Sequence, residues 1–406
     1  MRSSKKILIV MDQLACGGIE KSIITYLSEM PETDYEVTLM LYRRGGVFEK
    51  YVPEWVHLED IPLTAFGRGM LEEGRKALAL RHVKEEAVFK LIRLAGVALF
   101  GRFFVPTARR PLYYFRKSID TENLDRRVYD VAIAYHNIEQ ALFVAAHVKA
   151  RKKLTWFHTE LSTLAFPPTV YDAIYRQFDG YVASSTAVYG ELKKFFPGAG
   201  RKLKKSPYMV SLELCQRMAS EYPPFDRKFD GLRLLSVGRL SKQKGFDIAI
   251  EVFDRLKAKG YQLEWTIIGE GSERASLEAM LRERKLEGFN LIGLKENPYP
   301  YFAECDIYAQ PSRYEGYCIT LAEARMFAKP SVVTDFAGAR EQLKDGETGL
   351  VVPCDVSVIE AALERLIKER DLRTKFSDQL REENESRTAP LNAFKALLDE
   401  CCQSPQ

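Results

Sequence analysis

Twice along its length this chain sets short apolar runs between helical stretches, and that repeated alternation constrains the fold more than any other feature. In the first series the candidate strands are residues 7–11, 36–41, 131–135, 154–157 and 181–184, with helical periodicity over 19–30, 138–149 and 187–195. The rhythm restarts at "LRLLSVG" (232–238), after the proline-bearing "SEYPPFDRKFDG", and continues through strands at 263–269, 290–293, 307–310, 331–334 and 350–352. Strands that alternate with helices are the pattern of βαβ units in a parallel sheet. A chain of 406 residues is also too long for one ordinary core. The spacing predicts an α/β protein of two parallel-sheet domains, 1–205 and 231–385, joined by a linker over 206–230. A C-terminal helix over 386–406 is expected to pack back on the first domain. Such sheets bind ligands at the carboxyl ends of their strands, so the expected active site is the cleft between the domains.

An apolar share of 46% and a charged share of 29% are those of a globular protein. The net charge of +4 is too small for a nucleic-acid partner to be expected. Seven scattered cysteines, with no CxxC spacing, indicate neither a disulfide framework nor a zinc site, and fit a reducing cytoplasm. The apolar stretch 7–11 is cut off at Asp12, too soon for a signal peptide.

Residues 63–117 break the rhythm. They carry twelve Lys/Arg against four Asp/Glu and include "FKLIRLAGVALFGRFFV" (89–105). The uncharged run 94–101 is far shorter than the ~20 residues that span a bilayer. A basic stretch bearing Phe89, Phe100, Phe103 and Phe104 reads as an amphipathic helix lying in the interface of an anionic membrane, or as an extra helical pair packed on the N-terminal domain.

The chemistry concentrates in the second series. In "VGRLSKQKGFD", Arg239 and Lys244 emerge at a strand end beside a helix N-terminus, where a diphosphate is held by a guanidinium fork, an ammonium and a positive dipole end. Alone, the motif is weak, since a single Arg or Lys is more commonly just a surface cation. Gly269, in "IIGEGSER", marks a tight turn after the next strand. Gly293, Leu294 and Lys295 follow a third strand, at the same edge, where main-chain groups can read a nucleobase. "SRYEGYCITLAEARMFAKP" (312–330) places Glu315 in a turn and Glu323 eight positions on. With a helix from about Tyr317, positions 319, 323, 326 and 327 share one face, and Glu323 is its one polar member. A carboxylate on a buried face needs partners. The two ribose hydroxyls of a nucleotide would serve, and so would an internal cation such as Arg325. Glu315 would then accept from a second sugar, with the amides of Tyr317, Cys318 and Ile319 facing phosphates.

"EGYCITLAE" resembles the E-x7-E signature of the family-four retaining glycosyltransferases, the glycosyl transferases group 1, of bacterial polysaccharide type. "VGRLSKQKG" is similar to that family's diphosphate-binding Arg and Lys, "LACGGIEKSIITYL" (14–27) to its N-terminal glycine loop, and "DGETGLVVPCD" (345–355) to its late hairpin. The resemblance implies the GT-B fold, two facing Rossmann-like domains around a cleft. It also implies transfer of a hexose from a nucleotide-diphosphate sugar, UDP-linked by preference, to a saccharide or polyprenyl-diphosphate-linked saccharide, with retention. Glu315 would bind the donor hexose beside Gly316, Glu323 the ribose, and Arg239 and Lys244 the leaving diphosphate. Gly17 and Gly18 would let the backbone approach the donor phosphate and the acceptor across the cleft, and His158, in "LTWFHTE", would be the active-site histidine. No cofactor or metal is expected, since the strand-end loops carry no DxD motif. The place of action implied is the cytoplasm, at the inner face of the membrane.

Two positions depart from the family pattern. Cys318 replaces the second glycine after E-G-x, and "SPYMVSLE" (206–213) lacks the usual Asn. Two rival functions share the fold: a nucleotide-sugar epimerase, which leaves the basic insert without purpose, and a noncatalytic subunit scaffolding a partner transferase.

Overall fold

The computed structural model describes residues 4–15, 17–69, 110–135, 138–158, 174–206, 208–226, 228–385 and 389–402. It is built on two parallel sheets. The N-terminal sheet contains β1 (Lys5–Met11), β2 (Tyr35–Leu41), β3 (His57–Asp60), β4 (Val128–Ala134), β5 (Lys149–Phe157), β6 (Gly180–Ala183) and β7 (Leu203–Lys205), in the order β3-β2-β1-β4-β5-β6-β7. The C-terminal sheet contains β8 (Leu232–Val237), β9 (Leu263–Ile268), β10 (Phe289–Leu291), β11 (Ile307–Gln310), β12 (Ser331–Thr334) and β13 (Leu350–Val352), in the order β10-β9-β8-β11-β12-β13. Every pairing between these strands is parallel. Both are doubly wound Rossmann-like sheets. Their strand order reverses at β1/β4 and at β8/β11, the points where such sheets open a crevice for ligands.

The local reasons are plain in the residues. Ile7, Leu8, Ile9 and Val10 are all buried, as a central strand covered on both faces requires. Ser185, Ser211 and Asp355 cap the helices Thr186–Phe195, Leu212–Ala219 and Val356–Lys368 by accepting from amides of the first turn. The segment after β7 does more than tether. Its helix Leu212–Ala219 buries Leu214, Cys215 and Met218 against the helix Tyr299–Glu304, so apolar packing runs unbroken from one sheet to the other.

The helix Ala389–Cys402 lies against β4 and β5 of the N-terminal sheet. Phe394 is buried and stacks on Tyr26 at 4.2 Å, Lys5 Nζ pairs with Asp399 at 2.5 Å, and Lys204 with Glu400 at 2.8 Å.

Three expectations are corrected. Strands β3 and β7 extend the first sheet beyond the five strands read from the sequence. Both are edge strands of three or four residues with mixed burial, so they lack a buried-strand signature. Residues 345–355 form no antiparallel hairpin: a turn closed by Gly346 N–H to Gly349 O leads into β13, which runs parallel to β12. The helix expected from Tyr317 is Ile319–Met326, because Cys318 takes a left-handed φ of 63° as its N-cap. Of the basic insert, residues 70–109 lie outside the described residues, and with them its amphipathic core. The two ends meet, Leu63 bridging to Ile119 and Thr64 Oγ1 donating to Lys117 O. Among the described residues no helix is long and apolar enough to cross a membrane.

Candidate active site at the interdomain cleft

The C-terminal half of the site grows from the β8/β11 crossover. After β8 the chain turns through Gly238 and Arg239 into a short 3-10 turn, Lys242–Lys244, and then the helix Phe246–Ala258. Gly245 joins the two at φ 66°, and a Cβ there would strike the Pro311 carbonyl. Only glycine allows this loop to lie against the end of β11. The approach brings Lys244 to Glu315, seventy-one positions away: Lys244 Nζ donates to Glu315 Oε1, and Ser312 Oγ donates to the same oxygen at 2.9 Å. Burial works against the Lys244 ammonium, but the charges of Cys318 and Glu315 and the hydrogen bond outweigh it, holding its pKa above the usual lysine value. Arg239 is exposed; its carbonyl accepts from Ser241 N–H at 2.8 Å, and its guanidinium makes no hydrogen bond or ion pair among the described residues.

The helix Ile319–Met326 begins behind this pair. Gln342 Nε2 donates to the Tyr317 carbonyl and, at 3.3 Å, to that of Cys318, and so fixes the turn. Burial, then the Glu315 charge, pushes the Cys318 thiol up to about 11; Cys318 Sγ lies 3.5 Å from Thr320 Oγ1. Glu323 is 1% exposed. Its Oε1 receives Lys21 Nζ at 2.5 Å and the Tyr299 hydroxyl at 3.0 Å, while Oε2 is buried with no partner among the described residues. The internal cation is therefore Lys21, from the other domain. Arg325, the alternative suggested by the sequence, pairs with Glu383 at 2.9 Å.

Gly269 lies against the Gly238–Arg239 turn, whereas Gly293, Leu294 and Lys295 stand apart from this group. Gly269 N–H donates to Gly293 O at 2.9 Å, and at its φ of 153° a Cβ would strike the Gly238 carbonyl, so only glycine fits there. Leu294, 61% exposed, follows the outer strand β10, which two strands separate from β11.

From the N-terminal side Gly17 and Gly18 open the first helix, Gly18–Glu29. Gly18 faces Ile319, and any side chain at Gly18 would overlap it, so the glycine lets the domains touch. His158, at the end of β5, is buried with Nδ1 3.2 Å from the Tyr208 hydroxyl. Tyr208 in turn stacks near Tyr317 at 5.4 Å, which links His158 to the turn that carries Glu315. The segment without its Asn is pinned otherwise: Met209 N–H donates to Ser22 Oγ and Ser211 N–H to Thr25 Oγ1.

Reading of the sequence missed Lys21, Glu20, Tyr208 and Tyr299. Lys21 and Glu20 directly follow Gly17-Gly18-Ile19, so position alone could have flagged them; their partners could not be read. Glu20 folds its carboxylate over Gly17, and burial, only partly offset by its own amide and Lys21, raises its pKa to about 6. Between the ordinary 4.5 and about 6 the folded chain holds a proton that the unfolded chain has released, so stability falls as pH rises through that window. Glu20→Gln should therefore stabilise the protein by about 2 kcal/mol at pH 8 and by nothing at pH 4. Urea melts at the two pH values check this, and an equal effect at both would contradict it.

Comparison with known proteins bears on the fold and on the C-terminal half of the chain. Residues 225–383 match the family model of glycosyl transferases group 1. Among curated proteins, the chain is 33% identical over 184 residues to the N-acetylgalactosamine-N,N'-diacetylbacillosaminyl-diphospho-undecaprenol 4-alpha-N-acetylgalactosaminyltransferase of Campylobacter jejuni. That stretch is 45% of this chain and 48% of the relative, so the chain spans about half the length of the protein it matches. Among solved structures, Anabaena HepE in complex with UDP and glucose superposes with a TM-score of 0.64 at 16% identity, covering 98% of this chain and 100% of that one. TarM of S. aureus, in a complex containing UDP, gives 0.67 at 14% identity, over 98% and 100%. At such identities these structures establish the fold alone. Over residues 225–383 this chain is similar to the glycosyl transferases group 1, and its two facing Rossmann-like domains have the GT-B fold.

Proposed function

We propose that the chain is a glycosyltransferase of bacterial polysaccharide or glycolipid synthesis. It would move a hexose from a nucleotide-diphosphate sugar to a saccharide or polyprenyl-diphosphate-linked saccharide. The observation that carries this reading is the Lys244–Glu315 pair at the β8/β11 crossover, beside a helix N-terminus and the exposed Arg239. Glu315 accepts from donor-sugar hydroxyls, while Lys244, Arg239 and the helix end face the diphosphate. As the sugar–phosphate bond breaks, negative charge grows on the leaving oxygen, and fixed cations stabilise that charge without reorganising. Two cations then do what a metal does elsewhere, and none is required. From β10 to β11 is three strand spacings, about 14 Å, which suits a ligand stretched across the sheet: base by Gly293–Lys295, ribose at Glu323, hexose at Glu315. His158 and the Gly17–Gly18 loop face the acceptor. Attack from the face the leaving group departs gives retention.

UDP is the favoured carrier because two GT-B neighbours were solved with it. A polyprenyl-diphosphate acceptor is suggested by the undecaprenol-linked substrate in the name of the Campylobacter relative. The test is release of free nucleoside diphosphate from a panel of UDP-, GDP- and ADP-sugars, with and without membranes. Release from one donor supports the reading; none from any donor, with only a partner transferase stimulated, supports the scaffold instead.

Glu323→Gln should weaken nucleotide binding by about 1–3 kcal/mol, the worth of hydrogen bonds to a charged group. A dissociation constant equal to wild type counts against the ribose role. On this reading the basic insert would hold the protein at the inner face of the cell membrane, so deleting residues 83–105 should release it from anionic liposomes while leaving donor binding intact. Retained liposome binding would remove the membrane assignment.

A further inference from the structure

Lys21 belongs to the N-terminal domain, yet its charge is spent on the C-terminal one. Its side chain is 8% exposed, and that of Glu323 1%. The ammonium lies 4.6 Å from the ring centroid of Tyr299 and 5.9 Å from that of Phe48, so one aromatic ring from each domain encloses it. Glu323 Oε1 takes both the Lys21 ammonium and the Tyr299 hydroxyl, and Tyr299 is itself fully buried. Oε2 takes nothing from the described residues. A buried carboxylate satisfied on one oxygen and bare on the other is fixed in plane, with the lone pairs of its second oxygen unpartnered. A helical side chain leans toward its own N-terminus, so Glu323 reaches toward the turn where Ile319 meets Gly18, at the cleft.

We propose that Lys21 is a positioning residue for ribose recognition: by neutralising and orienting Glu323 from across the cleft, it leaves Oε2 to accept from the ribose hydroxyls. The proposal rests on the ribose reading of Glu323 given above. Without the ammonium, a carboxylate in this setting would turn away, since a lone buried charge is costly. Its preference for hydroxyl donors would go with it. Donor affinity is then set partly by a residue of the acceptor-side domain, which couples nucleotide binding to the contact between the domains.

The test compares the affinities of UDP, GDP and ADP with those of their 2',3'-dideoxy counterparts by calorimetry, in the full chain. Wild type should prefer the ribose form of the nucleotide it binds by roughly tenfold or more, the worth of hydrogen bonds to a charged acceptor. Lys21→Met should cut that preference to within about threefold while dideoxy binding stays within about twofold of wild type. Lys21→Gln, neutral but still a donor, should fall between, and carries the test if Lys21→Met does not fold. A wild-type preference in the variant that folds overturns the proposal. So does equal weakening of both nucleotide forms, the signature of a purely structural tether. If wild type and Glu323→Gln show no ribose preference, Glu323 does not hold the ribose, and the role of Lys21 falls with it.

Discussion

Replacing Lys244 by alanine should lower turnover on the order of 10²-fold or more, with a parallel loss for Arg239→Ala. The reasoning is electrostatic. Lys244 is held charged at a buried strand end by Glu315 and by a loop that only a glycine at position 245 permits. On the proposed reading its partner is a carboxylate that would otherwise keep only the Ser312 hydroxyl beside a developing diphosphate anion. Alanine at 244 therefore removes one cation and leaves an uncompensated acid in the same place. The kinetic signature separates this from a folding defect: turnover should fall while melting shifts little for the exposed Arg239 and more for the buried Lys244. Unchanged activity in both variants would remove the phosphate assignment.

Phe394→Ala should destabilise the protein by about 3–5 kcal/mol, the usual result of truncating a buried aromatic side chain. Phe394 is sealed between Tyr26 at 4.2 Å and Trp156 at 5.7 Å, on a helix that arrives from the far end of the sequence. The three tryptophans report on the two sheets separately: Trp156 lies in β5 and Trp265 in β9, with Trp55 in the N-terminal domain. Urea unfolding followed by fluorescence of single-tryptophan variants should show the Trp156 transition moving to lower urea before that of Trp265. A change under about 1 kcal/mol would mean that the C-terminal helix is not part of the N-terminal fold.

The elements read from the sequence and those in the structure differ in an instructive way. Strands 307–310, 331–334 and 350–352 coincide with β11, β12 and β13, because a short buried run between helices has little else it can be. Edge strands β3 and β7 were illegible because "HLED" and "LKK" carry no such run. The site was legible where a motif is contiguous: Arg239, Lys244, Glu315 and Glu323 each announce themselves within thirteen residues of the strand end before them. It was illegible where a partner comes from elsewhere. Nothing in "GGIEKS" says that the lysine will meet Glu323, 302 positions on.

Periodicity is a local property, and along this chain it was enough to determine two parallel α/β sheets and the strand ends where glycine, cation and carboxylate gather. What the tertiary structure alone decided is which of those groups are joined: Lys244 with Glu315, Lys21 with Glu323, Tyr208 with His158, and the last helix with the first domain. The reason is that each of these pairings spans fifty positions or more, so it exists only after both sheets have formed and closed on one another.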